Sequence, residues 1–271
     1  RERVQADLVP PVTLVEPDPA TDEQLLRCHT PDYLASVKNG TLDPRAVRRI
    51  GFPWSPQIME RSRRSVGGTI AACRSALNHR CAVNLAGGTH HAYADHGEGY
   101  CVFNDVAVAA RAMQVEGRAR RILVIDCDVH QGNGTAALFA DDASVFTFSI
   151  HGARNYPFHK EHSDFDVALD DGADDLTYLD ALARGLDVAV KHADADLAIY
   201  LAGADPFASD RLGRMRVSKT GLAQRDRLVF EECLEVDLPV AVVMAGGYAP
   251  DVSDIVDIHF ETVCQALDYA T

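Results

Sequence analysis

Asp126-Cys127-Asp128-Val129-His130 concentrates groups that bind metals or move protons within five residues. If the chain stays extended past Ile125, alternation with period two puts Asp126, Asp128 and His130 on one side. Two carboxylates and an imidazole with a position left for water suit a catalytic zinc better than a closed structural site. The competing reading is an acidic strand end solvated by water. Asp205, in Gly203-Ala204-Asp205-Pro206, is the natural third ligand, although an Asp before Pro is commonly a turn residue. His90-His91 follow Gly87-Gly88 and offer a general base and an electrostatic partner, provided a tight turn faces both into one pocket. Otherwise they are a solvated surface pair. Tyr248 follows Gly246-Gly247, and its phenol suits an oxyanion. A plain surface tyrosine is the alternative.

These groups need a scaffold that brings them to one place. Short apolar runs at Ala82–Leu85, Arg121–Ile125, Val145–Ser149, Leu197–Ala202 and Val240–Met244 read as buried strands. Helical patterns alternate with them: Pro56 to about Asn78, a helix capped by Asn104, Leu176–His192, Ser218–Glu235 and Asp254–Asp268. The pattern predicts an α/β fold of three layers, a mostly parallel central sheet with helices on both faces. In such sheets ligands bind beyond the carboxyl ends of the strands. Four of the runs end in glycines plus ionisable or phenolic residues, which points to one assembled site. The loop Asp43–Ser55, with the only tryptophan at Trp54, either shapes its rim or simply packs.

The chain has 271 residues, 26 Lys+Arg against 40 Asp+Glu, and a formal net charge of −14. That length allows one α/β domain or two. A catalytic set drawn from residues 90 to 248 needs one continuous sheet, so a single domain over 1–271 is expected. The first residue is Arg1 and RERVQADL already reads as helix, so the true N-terminus is expected upstream. The acidic balance argues against nucleic-acid binding, which needs a basic face. No apolar run suggests membrane insertion. Seven cysteines without a CxxC pair, most of them in apolar stretches, read as reduced thiols of a cytoplasmic protein.

Asp128-x-His130, Asp205, the His90-His91 pair and Gly246-Gly247-Tyr248, in that arrangement, resemble the zinc-dependent histone deacetylase and acetylpolyamine amidohydrolase superfamily. His29-Thr30-Pro31-Asp32-Tyr33 resembles the family's early H-x-x-Y stretch. Ser209–Phe230, with GTHH, GYC and DCDVHQGNGT, is most similar to class IV deacetylases. The resemblance implies an arginase/deacetylase-like fold and one Zn²⁺ per chain held by Asp128, His130 and Asp205. It makes His91 the base and then the acid, His90 its electrostatic neighbour and Tyr248 the oxyanion donor. Asp126 becomes the partner of His90 and, with Asp128, His130 and Ser149, part of a structural K⁺ site. Asn133 becomes the partner of His91, where class I members carry Asp. A neutral amide raises the pKa of an imidazole less than a carboxylate does, which favours a neutral base. Gly99, Tyr100 and Gly247 become substrate-tunnel wall, with Tyr156 opposite.

The implied reaction is hydrolysis of an amide by metal-activated water. Two carboxylates leave a zinc ion little net charge, so its water needs a positioned base. The implied substrate is an acyl-lysine protein or peptide, or an acylated polyamine. An arginase-like two-metal hydrolase is the second enzyme reading, but Gln131, Gly132 and Asn133 stand where further carboxylates would be needed. A non-catalytic acyl-lysine-binding scaffold is the third reading. Degenerate sites normally lose a ligand, the base or the tyrosine, and all are present here.

Overall fold

Branched and apolar residues pair into one six-stranded sheet: Cys81–Asn84 (β1), Ile122–Asp126 (β2), Val145–Gly152 (β3), Phe165–Leu169 (β4), Leu197–Leu201 (β5) and Val240–Val243 (β6). The computed structural model describes residues 1–8 and 11–270. The strand order is β1-β6-β5-β2-β3-β4, and every pairing is parallel. Asn84 pairs with Val243, Val243 with Leu201, and Leu201 with Asp126. The ends of four strands therefore share one edge of the sheet, and the loops leaving them converge there.

Alternation along the strands divides the core. Ile122, Val124, Ile199, Leu201, Ala241 and Val243 face one side, against Pro56–His79 (α5) and Asp105–Val115 (α6). Leu123, Ile125, Ala198, Tyr200, Val240 and Val242 face the other, against Asp175–Ala193 (α8), Lys219–Glu235 (α9) and Val252–Ala270 (α10). Burying one Leu, Ile or Val contributes roughly 1.5–3 kcal/mol, so a sheet covered on both faces is the stable solution. Ser55, Asn104 and Ser218 accept from Ile58, Ala107 and Gly221 N–H as N-caps, as their side chains predict.

Several elements depart from the sequence reading. The strand β4 lies at the sheet edge and is mostly half-buried, so it shows neither clean alternation nor a fully apolar run. The short helices Glu2–Asp7 (α1), Asp22–Leu25 (α2), Pro31–Asn39 (α3), Pro44–Ile50 (α4) and Asn133–Phe139 (α7) complete the fold. Only α1 is foreshadowed by its pattern; α2, α3 and α4 start at the caps Thr21, Thr30 and Asp43, whereas α7 begins at Gly132 without a side-chain cap. β2 stops at Asp126 and the chain bends through residues 128–130, so the extended continuation does not form. No helix among the described residues is long and apolar enough to cross a membrane.

Candidate active site

The bend after β2 folds Asp128 and His130 toward Asp205, which follows β5. His130 Nδ1 lies 2.9 Å from Asp128 Oδ1 and 3.2 Å from Asp205 Oδ2. One ligand atom from each residue lies within 4.8 Å of the others, and all three side chains are buried. Backbone amides hold the carboxylates: Gly246 N–H donates to Asp128 Oδ2 at 2.8 Å and Val129 N–H to Asp205 Oδ1 at 2.9 Å. Any Cβ on residue 246 would overlap the Asp205 and Asp128 oxygens, so only glycine admits this approach.

Asp205 Oδ2 has no hydrogen-bond partner despite its burial. Two buried carboxylates with an unsatisfied oxygen are costly without a countercharge. Burial, with the charge of Asp128 added, pushes the Asp205 carboxyl up to about 7. Burial disfavours protonation of His130, but its hydrogen bond to Asp128 and the negative charges of Asp128 and the adjacent Asp205 outweigh this and raise it to about 10. The cluster thus draws in a proton where a divalent cation would sit, and its two Asp and one His fit such an ion. Asp126 stands apart from this triad, contrary to the alternation argument. Its Oδ2 accepts from His90 Nδ1 at 2.6 Å and its Oδ1 accepts from Asp128 N–H at 3.1 Å. Ser149, across from Asp126 in β3, bonds His151 Nδ1 at 3.0 Å.

His90 and His91 pack with ring centroids 4.1 Å apart, both buried. Burial opposes charge on His90, but the carboxylates of Asp126 and Asp128 override it and raise it to about 9. His91 has no such carboxylate in contact. Burial first, then the charge of His90, holds it well below the ordinary histidine value. Its Nδ1 lies 2.6 Å from Asn133 Oδ1, and Asn133 is the first residue of α7. A charged His90 and a neutral His91 side by side match the roles of electrostatic partner and base.

A cavity of about 320 Å³ opens over these groups, lined by His90, His91, Asp128, His130, Gly99, Tyr100, Cys101, Gly246, Gly247 and Tyr248, among others. Tyr248 sits with its ring 6.5 Å from that of His130 and 6.1 Å from that of Tyr100. Burial raises the Tyr248 phenol far above its ordinary value, so it stays a donor. Asp210, in the Ser209–Phe230 segment, accepts from Tyr248 N–H at 2.5 Å and Arg211 Nε donates to its carbonyl at 3.1 Å. Gly99, with φ +55°, passes too close to His91 for a side chain. Tyr156 backs this wall instead of lining the cavity, edge-on to His91 at 4.9 Å. Phe52 reaches the rim and packs tilted against Tyr100, ring centroids 5.2 Å apart, whereas Trp54 packs away from the cavity, its Nε1–H bonded to Val37 O. Cys101 lines the cavity and Cys127 lies buried behind it, both thiols pushed up by burial, Cys127 to about 12.

Residues far from any motif shape the turn that carries the histidines. The fully buried Asp105 carboxylate accepts from Thr69 Oγ1 at 2.5 Å, Thr89 N–H at 2.6 Å and Gly88 N–H at 3.1 Å. Asn104 Nδ2 donates to Ala92 O at 3.2 Å, and His29 bridges Asn104 N–H (3.0 Å) to Tyr93 O (2.9 Å). His29 is therefore a neutral imidazole with Nδ1 protonated, and burial lowers it to about 4. An Asn-Asp pair at a helix start is the only sequence signal for this clamp, and it reads simply as a cap.

Residues 2–263 match the histone deacetylase domain family. An uncharacterised protein of Picosynechococcus sp. is 48% identical over 231 residues, 85% of this chain and 77% of that protein. Histone deacetylase 2 of Arabidopsis thaliana is 32% identical over 244 residues, covering 87% of this chain and 63% of its own length. Among solved structures, a histone deacetylase homologue from Aquifex aeolicus superposes with a TM-score of 0.82 at 25% identity, over 93% of this chain and 72% of that one.

Proposed function

This chain belongs to the histone deacetylase family, and we propose that it is a zinc-dependent amidohydrolase that removes an acyl group from an acylated lysine side chain. The observation that carries the reading is the convergence on one cavity of a buried Asp-His-Asp set, a neutral imidazole and a protonated phenol. Asp128, His130 and Asp205 would hold the zinc, which supplies electrophilic activation of the amide carbonyl and of the attacking water. His91, neutral and with Nδ1 turned to Asn133, presents Nε2 to take the proton of that water. Tyr248 O–H donates to the carbonyl oxygen as negative charge builds on it. His90, held by Asp126, keeps a positive charge beside His91 and resists its full protonation until the amine departs with that proton. Gly99, Tyr100 and Gly247 line the cavity in which the acylated side chain would lie. The sequence of the Ser209–Phe230 segment, whose Asp210 and Arg211 hold the Tyr248 backbone, favours a place near class IV.

The test is side-by-side hydrolysis of lysine peptides with acyl chains from acetyl to myristoyl, and of acetylated polyamines, by zinc-loaded protein. Release of acid from a lysine peptide at a rate above every polyamine supports the reading. Turnover of polyamines alone would replace it with a small-amine amidohydrolase, and full zinc loading without any hydrolysis would make the chain a scaffold.

A further inference from the structure

Asn133 can face His91 with either its oxygen or its nitrogen, and the two orientations have opposite chemical consequences. With the oxygen toward His91, Nδ1 carries the proton and Nε2 is free as a base. With the nitrogen toward it, Nδ1 becomes the acceptor and the proton moves to Nε2, where it blocks base catalysis. The surroundings of Asn133 leave one choice. Its Nδ2 donates to Glu98 Oε1 at 2.6 Å and to Tyr93 O–H at 3.0 Å, and the Tyr93 hydroxyl in turn donates to Glu161 Oε1 at 3.1 Å. Turning the amide over would press its oxygen against the Glu98 carboxylate, which accepts and never donates. Glu98 is itself held: its side chain is only 15% exposed, Tyr156 hydrogen-bonds it, and His96 Nε2 lies 3.9 Å from it.

We propose that Glu98 is a positioning residue that locks the amide of Asn133, and through it the Nδ1-protonated form of His91. This deepens the amidohydrolase reading and rests on it for its catalytic meaning, but the proton position on His91 is a property of the folded chain alone. Glu98 touches no reacting atom. A class of site with a neutral amide behind its base needs an external acceptor to orient that amide, whereas a carboxylate in the same place needs none. The Gly97-Glu98-Gly99 turn, tied by Cys101 N–H to Glu98 O at 2.8 Å, brings this carboxylate to the back of the site.

The experiment combines ¹⁵N NMR of the histidine rings, with His91 assigned by a His91→Gln variant, and steady-state kinetics on an acyl-lysine peptide. In the wild-type chain His91 shows a protonated Nδ1 and a bare Nε2. Glu98→Leu populates both forms of His91 and lowers kcat by about tenfold or more with KM nearly unchanged, the signature of a misdirected proton. Glu98→Gln, whose amide can either accept from Asn133 or donate to it, holds the amide less strictly and falls between Glu98→Leu and wild type in both readouts. A bare Nδ1 on wild-type His91 would overturn the proposal without any variant, which covers the case in which Glu98→Leu does not fold. So would a Glu98→Leu protein with unchanged kcat and a single wild-type His91 form. If the wild-type chain hydrolyses no acyl amide, the proposed function fails, while the ring spectra still decide the role of Glu98.

Discussion

The two halves of the site are built on different principles. The Asp128-His130-Asp205 half rests on strand ends: β2 and β5 deliver its residues to one sheet edge, and backbone amides of Val129 and Gly246 fix the carboxylates. The His90-His91 half rests on a glycine-rich turn. Its geometry is imposed from outside by Asp126, Asn133, Asp105, Asn104 and His29, drawn from four separate stretches of chain. The first half concentrates negative charge and needs a cation. The second holds one charged and one neutral imidazole and needs only hydrogen bonds. The roles proposed for the two halves, holding a metal and moving a proton, should therefore be separable by substitution.

Removing a ligand should have the largest effect. Asp205→Ala is expected to abolish metal retention and lower turnover by about a thousandfold or more, since the electrophile is lost with the ion. Elemental analysis of the purified variant beside a rate assay checks both. On the other side, His91→Ala and Tyr248→Phe should each lower kcat by roughly a hundredfold while one metal per chain is retained. Metal loss in either variant would show that the halves are not independent.

The first half was largely legible in the sequence, and the second only in part. Asp128, His130 and Asp205 advertise themselves by residue type at the ends of apolar runs, and the fold follows from the same runs. Period-two alternation nevertheless places Asp126 on the same side, because it requires an extended chain where the backbone bends. The acceptors that position the histidines could not be read. Asp105 and Glu98 look like a helix cap and a loop acid, and their roles depend on contacts 16 to 36 residues away in sequence. The family resemblance alone puts Tyr156 opposite the tunnel wall, and its place behind Gly99 depends on packing that no local pattern encodes. The edge strand β4 escaped for a related reason: a half-buried edge lacks the periodicity that marks buried strands.

Subtler changes sharpen the comparison. Asn133→Asp places a carboxylate against His91 and stabilises its protonated form, so the acid limb of kcat/KM should move to higher pH. Metal affinity should not change. A limb that stays in place would mean that another group sets it. The smallest effect concerns His29, whose imidazole is lowered from 6.5 to about 4 by burial. The unfolded chain binds this proton below about 6.5 and the folded chain only near 4, so stability falls as the pH drops through that window. The loss has an upper bound of roughly 3 kcal/mol. A His29→Asn variant should flatten the thermal midpoint between those pH values relative to wild type, and parallel curves would contradict the assignment.

The proposed activity requires a single metal in the Asp128-His130-Asp205 cluster. Stepwise addition of Zn²⁺ to chelator-stripped protein, with hydrolysis of an acetyl-lysine peptide followed at each step, tests that claim directly. The prediction is no activity at the start, a linear rise, and a break at one zinc per chain. Activity in the stripped protein, a break at two, or one tightly bound zinc with no hydrolysis would contradict it.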